Sequence, residues 1–519
     1  MKKIEPTIDE KYTPSRSLEQ EIINGVENSN ISKLPLSNKV VLKALHENQD
    51  GDAYLLIKCL KDRYAFDHAA QEWYYWNEHF WRLDKLDHVF NMTKEVIDLY
   101  GEQKIFEIFA LQAATADEDE KAKKQHQYHI IQLEERIQSL RTLKRKTMVL
   151  KLAACGLKSL GVTGEDWDKH PMLLGCRNGC IDLKEGIFKP GNPKDLIKTV
   201  SPIKWVSYNS PCPVWKQFLL QMFSNNQEVV DYIQRLLGYG ITGLNTEHIF
   251  PIFWGHDGRN GKGTLFETLK FVLGDFAYKA PSNFLMEQNT KNNGSGPDAV
   301  TMGLYGKRIV WCSETNEKDR LDVAKLKELV GGDTLSARAP HAKRQVEFTP
   351  THLLLTVTNR RPKVPANDMP LWRRLHLIPL ENSFVDNPDP TKPHEFKADK
   401  ELLGKLKAEA PGILSWLVAG CVLWQQYGLN PPDIINAATE AYRENEDILG
   451  DFIKECCFEN ESTSFRVKPK EFYAAYKSWC DEVGHYPMAK KRFLDDIGSR
   501  FETAMINGFK YFVKVGLVI

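Results

Sequence analysis

Between Met92 and Leu160 apolar residues recur at helical spacing, as in IIQLEERIQSL, and the acid–base alternation of ADEDEKAKKQ marks faces that meet water; this stretch is predicted to be helical. Before it, EWYYWNEHFWRLD (Glu72 to Asp84) predicts a small hairpin whose rings pack into a core rather than form a base-stacking surface. The opening stretch is polar, mixed in charge and without period, and reads as a loosely packed arm over residues 1–50. After His170, Gly, Asn and Pro punctuate short apolar runs in HPMLLGCRNGCIDLKEGIFKPGNPKD, the pattern of turns between short strands. A helical pattern resumes from Trp215 to Gly243, and from Ile249 to Leu380 short β-like runs alternate with helices, which predicts a parallel sheet in an α/β domain. PGILSWLVAGCVLWQQYGL is helical, and the last 70 or so residues read as helix, turn, helix and a β-pair about Asn507-Gly508. The expected divisions are therefore 51–245 (mostly helical, with a linking region), 246–385 (α/β core), 386–450 (helical) and 451–519 (C-terminal module).

A chain of 519 residues exceeds what one core supports, so several domains are expected. No apolar run approaches the ~20 residues that span a bilayer, and no apolar segment follows the two N-terminal lysines; the expectation is a cytoplasmic protein with no membrane partner. Basic and acidic residues balance at 69 each, so contact with nucleic acid has to come from a local patch. RTLKRK (Arg141 to Lys146) is either such a patch or a solvated helix end. The ten cysteines form no four-ligand zinc set and read as reduced thiols.

The chemistry concentrates in GHDGRNGKGT (Gly255 to Thr264), which lies between the apolar run HIFPIFWG and the helix-like LFETLKFVLG. Glycines let backbone N–H groups converge on an anion, a following helix N-terminus favours negative charge, and Lys262 is placed to reach phosphates. The pattern departs from G-x-x-x-x-G-K-[ST]: Gly255 is one residue early and Thr264 one late, with Gly263 where the hydroxyl residue is usual, so Thr264 is the expected Mg²⁺ ligand. Three later features follow in order. GKRIVWCSETNE ends a buried run in Glu314, a carboxylate suited to Mg²⁺ and the attacking water. HLLLTVTN ends in Asn359, an amide for the γ-phosphate or that water. DMPLWRRLHLIPL places Arg373 and Arg374 before another strand.

Together with KLKELVGGDTLSAR and EFTPTHLLLTVTNRRPKV, these stretches resemble the superfamily 3 helicases, in the branch of phage and plasmid primase-helicases and the poxvirus primase-helicase. The resemblance runs from about Ala53 to the C-terminus and is strongest from Phe250 to Leu380. It implies an AAA+-like P-loop ATPase core, a mostly helical N-terminal domain and a C-terminal winged-helix domain. ATP would be held by Gly258, Arg259, Asn260, Gly261, Lys262, Gly263 and Thr264, and Mg²⁺ by Thr264 and Glu314. Asn359 would sense the γ-phosphate, and Arg374, with Arg373 as second choice, would act in trans within a homohexameric ring. SARAPHAKRQVEF would be a channel hairpin gripping DNA through His341, Lys343 and Arg344. Lys490, Lys491 and Arg492 would open a recognition helix, with NGFKYFVKV as the wing.

The activity implied is 3′–5′ unwinding of DNA for replication of a phage, satellite or plasmid-like element. With too little polar sequence at the N-terminus for a primase domain, a separate primase is expected. An origin-binding initiator that uses ATP only to assemble, and a P-loop nucleotide kinase, are the alternatives.

Overall fold

The structure is a computed structural model that describes residues 36–287, 298–313, 320–338 and 345–518. Chain contacts divide it into two compact units: one runs up to Ile181 and includes Phe188–Val200, the other joins Asp182–Ile187 to everything from Ser201 onward.

The first unit is mostly helical, with α1 (Asn38–His46), α2 (Asn48–Leu60), α3 (Val89–Ala116), α4 (Glu120–Leu140) and α5 (Leu143–Ala154). Strands β1 (Tyr64–Asp67), β2 (Glu72–Trp76), β3 (Trp81–Leu83) and β4 (Gly161–Val162) form one sheet in the order β3-β2-β1-β4. The aromatic hairpin is present as predicted. Its Tyr74 and Trp81 pack on Trp167 at ring separations of 4.9 and 5.9 Å, so the rings form a satellite core. Asp84 accepts from the His88 and Val89 amides where α3 begins, and Asp119, the N-cap of α4, accepts from the Lys121 and Ala122 amides.

Asp52, fully buried on α2, accepts from Tyr100 (2.8 Å), Arg136 (2.8 Å) and Arg145 (2.9 Å). This changes the reading of the basic run at 141–146: Arg145 is held inside the unit as a counter-ion and is not offered to a partner. Short strands β5 (Leu173–Cys176), β6 (Gly179–Asp182), β7 (Ile187–Lys189) and β8 (Val200–Ser201) follow, as the Gly/Asn/Pro punctuation predicts.

The second unit centres on five strands: β9 (Phe250–Trp254), β10 (Ala277–Ala280), β11 (Ile309–Ser313), β14 (Leu353–Thr358) and β15 (Leu375–Pro379). All are parallel, in the order β10-β11-β14-β9-β15. Their near-continuous apolar sequences suit a sheet covered on both faces. The α-helices of this unit up to Asn445 that the described residues show are α6 (Pro213–Met222), α7 (Gln227–Gly240), α8 (Lys262–Leu273), α9 (Ala299–Met302), α10 (Val323–Gly331), α11 (Met369–Trp372), α12 (Leu402–Ala408), α13 (Ala410–Tyr427) and α14 (Asp433–Asn445). α7 and α13 meet at Gly238 and Gly420, where an added Cβ would lie 2.2 Å from Cys421 N and 2.1 Å from Gln234 O. An antiparallel pair, β12 (Leu335–Ala337) and β13 (Val346–Phe348), flanks the expected channel hairpin; His341, Lys343 and Arg344 lie outside the described residues, as does Glu314. β16 (Ser383–Val385) and β17 (Glu395–Lys397) run parallel beside the glycine-rich loop.

At the C-terminal end come α15 (Ile448–Cys456), β18 (Cys457–Glu459), β19 (Arg466–Val467), α16 (Pro469–Val483), α17 (Lys490–Gly498), β20 (Thr503–Ile506), β21 (Phe509–Val513) and β22 (Val515–Leu517). Phe452 gathers Phe472, Tyr476, Trp479 and Phe493 into an aromatic core. Asn507 and Gly508 both adopt positive φ (50° and 79°) between the paired Ile506 and Phe509, the backbone that a two-residue hairpin turn requires. Among the described residues no single helix is long and apolar enough to cross a membrane.

Candidate functional site

β9 delivers the chain into the loop Gly255–Gly261 at the carboxyl edge of the sheet, and α8 leaves from the loop. Three loop residues take positive φ: Gly258 (73°), Arg259 (51°) and Gly261 (82°). Gly255 must be glycine for a second reason, since a Cβ there would sit 2.4 Å from Asn260 Oδ1. Asn260 is buried and anchors the loop: its Nδ2 donates to Leu380 O (3.2 Å) and Asn382 O (2.8 Å). Asn382 in turn donates to Gln221 O (2.6 Å).

This scaffold fixes Lys262. Its Nζ donates to Asn260 Oδ1 (2.8 Å), Asn359 Oδ1 (2.7 Å) and Gly255 O (3.3 Å). All three acceptors are neutral, so the ammonium is hydrogen-bonded but not charge-compensated, and burial lowers its pKa to about 8. α8 begins at Lys262 with no capping side chain, which leaves its first-turn N–H groups to face an anion. Beside them opens a cavity of about 470 Å³ lined by Arg259, Asn260, Gly261, Lys262, Gly263 and Thr264 together with Asn359. Its two nearby carboxylates, Asp386 and Asp399, are already paired with Lys400 (3.2 Å) and Lys405 (2.6 Å).

Asn359 reaches the site because β14 lies next to β9, with Thr358 opposite Trp254. β11 ends at the same edge, its Ser313 in register with Val357. Arg374 lies at the other edge, where its carbonyl accepts from Phe250 N and its guanidinium donates to Lys327 O at 3.0 Å. Four residue steps along β9, at about 3.3 Å each, separate the two edges by ~13 Å. Neither Arg374 nor the exposed Arg373 at the end of α11 is therefore brought to the loop of its own chain. Sequence reasoning missed the cavity's outer wall, Phe218, Phe384, Ala398 and Leu402, which comes from segments far along the chain and carries no motif.

Lys490, Lys491 and Arg492 are exposed in the first turn of α17. Cations there face the positive end of the helix dipole, so they do not serve helix stability. Arg492 has a long contact to Asp496 (3.8 Å). A second cationic group was not anticipated: Arg466 lies over Tyr511 (5.1 Å), and Lys468 over Phe509 and Tyr511 (5.9 Å each), beside the exposed tip of the β20–β21 hairpin.

Segments of the chain are similar to known families and proteins. Residues 53–224 match the D5 N terminal like family, 253–374 a family of unknown function (DUF5906), and 443–514 the Poxvirus D5 protein-like family. A protein of Acanthamoeba polyphaga mimivirus named "Putative helicase" is 25% identical over 86% of this chain. An African swine fever virus protein named "Putative primase" is 26% identical over 60% of it. The chain spans 48% and 33% of the lengths of these two relatives. The C-terminal region of NrS-1 aligns at a TM-score of 0.39 and 15% identity, over 71% of this chain and 89% of that one. With D5-type segments at both ends and viral relatives named as helicases and primases, the chain is similar to the superfamily 3 primase-helicase branch.

Proposed function

We propose that this chain is an ATP-driven, ring-forming DNA helicase for the replication of viral or mobile-element DNA. The observation that carries the reading is the uncompensated Lys262 ammonium, tied by Asn260 and Asn359 to a glycine-rich loop at the carboxyl edge of a parallel sheet. A polyphosphate supplies the negative charge that this cage lacks. Gly258 to Thr264 fit it, because the positive-φ backbone and the uncapped start of α8 present N–H donors around the lysine.

Thr264 and Glu314 would hold Mg²⁺, which would supply positive charge against the charge that develops on a transferred phosphoryl group. Lys262 releases its hold on neutral oxygens to bind phosphate. Asn359, which shares that lysine, registers the change and passes it to β14. Arg374 or Arg373 acts on a neighbouring subunit, consistent with its place at the opposite sheet edge; that need calls for a ring, and the homohexamer is taken from the resemblance. His341, Lys343 and Arg344 grip one strand in the channel. The C-terminal segment acts as a winged helix, with Lys490, Lys491 and Arg492 on duplex phosphates. Translocation is 3′ to 5′. A DNA-stimulated ATPase assay tests the site: the intact chain is expected to hydrolyse ATP faster with single-stranded DNA, and Lys262→Ala to abolish hydrolysis. Hydrolysis that needs a nucleotide acceptor and ignores DNA would replace this reading with a kinase.

A further inference from the structure

The α3–α4 hairpin changes character along its length. Near its base the buried positions are mostly apolar, Val89, Val96 and Tyr100 on α3 and Leu133, Ile137 and Leu140 on α4, and the one polar residue among them, Thr93, donates to Phe90 O in its own helix. Beyond Tyr100 and Leu133 the buried positions become Gln103, Glu107 and His129, with only Ala114 apolar, while Ile105, Phe106 and Phe109 are exposed. Burying a carboxylate costs free energy unless something positive meets it, so a polar seam here needs a reason.

The geometry supplies one. Glu107 Oε2 lies 2.7 Å from His126 Nδ1 and 3.0 Å from His129 Nδ1, and the three atoms fall within 4.8 Å of one another. Helical spacing puts His126 and His129 on one face of α4, opposite Glu107. Gln103, one turn before Glu107, donates to its other oxygen at 2.9 Å and so fixes the carboxylate's orientation. The Oε1 of Gln103 is buried and has no partner. Protons on the two imidazoles would satisfy Glu107 but leave Gln103 Oε1 stranded; a bound cation carrying a water supplies the donor it lacks.

We propose that Glu107, His126 and His129 bind a divalent transition-metal ion of the Zn²⁺ class, which fastens the distal half of the hairpin. Two imidazole nitrogens and one carboxylate oxygen suit Zn²⁺ better than Mg²⁺ or Ca²⁺, and three protein ligands leave one position for water. His126, partly exposed, lies on the entry side. The site is separate from the glycine-rich loop and does not depend on the helicase reading.

The test uses the full chain, stripped with chelator and titrated with Zn²⁺ by calorimetry, with Co²⁺ as the spectroscopic probe. The expected result is one equivalent of Zn²⁺ per chain that is lost in the His126→Ala/His129→Ala variant. Glu107→Gln, which keeps the side chain's size, is expected to weaken binding at least tenfold. The Co²⁺ form should show the intense visible bands of a low-coordinate nitrogen/oxygen site. Saturating Zn²⁺ should raise the melting temperature by about 5 °C in the intact chain and not in the double variant. No stoichiometric binding, or equal binding by the intact chain and both variants when each is folded by circular dichroism, would overturn the assignment and leave a protonated histidine pair in its place.

Discussion

Lys262 makes a quantitative prediction. Its pKa of about 8 arises from burial among neutral oxygens, and a bound polyphosphate beside it favours the charged form. In the free chain about half of the lysines are protonated at pH 8, about nine-tenths at pH 7 and about one-tenth at pH 9. If phosphate restores an ordinary lysine value, ATP binding must take up about 0.5 proton per site at pH 8, and about 0.1 at pH 7. Calorimetry in buffers of different ionisation enthalpy reads this number directly. Affinity should fall as pH rises through 8, approaching tenfold per unit above it. Lys262→Arg, which stays charged throughout, should bind without proton uptake. Binding enthalpies at pH 8 that do not vary with buffer would refute the account of this lysine as desolvated and awaiting charge.

Other outcomes follow from the same packing. Asp52→Ala should destabilise the first unit by about 3–5 kcal/mol in denaturant melts, because it leaves the partly buried Arg136 and Arg145 without their counter-ion. His352 is fully desolvated, and burial lowers its pKa to about 4. The unfolded chain then takes up the proton first, so stability is full above about pH 6.5 and is lost as pH falls from there towards 4. His352→Leu should flatten that slope by up to about 1.4 kcal/mol per pH unit, measured by melts across the range. Lys490→Ala/Lys491→Ala should weaken duplex binding across sequences and reduce the slope of log affinity against log salt by about 2, in fluorescence anisotropy at several salt concentrations.

What the sequence revealed was local chemistry. The glycine-rich loop, the buried strands around it and the Asn507-Gly508 turn could be read because each depends on a few consecutive residues and on a backbone that only certain residues adopt. Asn359 could be placed because strand ends in a parallel sheet share an edge. Other features depend on partners far along the chain. Arg145 looked like part of a surface patch until Asp52, 93 residues away, was seen to hold it. The cavity wall needs Phe218 and Phe384, whose rings meet at 6.4 Å across a large sequence gap. Glu107 and His126 are hidden in a stretch that reads as solvated helix, and only the pairing of α3 with α4 turns them inward.

The central claim is a trans-acting ring in which Lys262 binds phosphate and an arginine from the next subunit completes the site. Strand displacement from a forked DNA duplex with ATP and Mg²⁺ tests it most directly, comparing the intact chain with Lys262→Ala, Arg374→Ala and Arg373→Ala. The account predicts unwinding by the intact chain, none by Lys262→Ala or by the variant that lacks the trans arginine, and partial recovery of ATP hydrolysis when those two inactive variants are mixed. ATP hydrolysis by the intact chain with no displacement on either fork polarity would contradict it and favour an ATP-switched initiator.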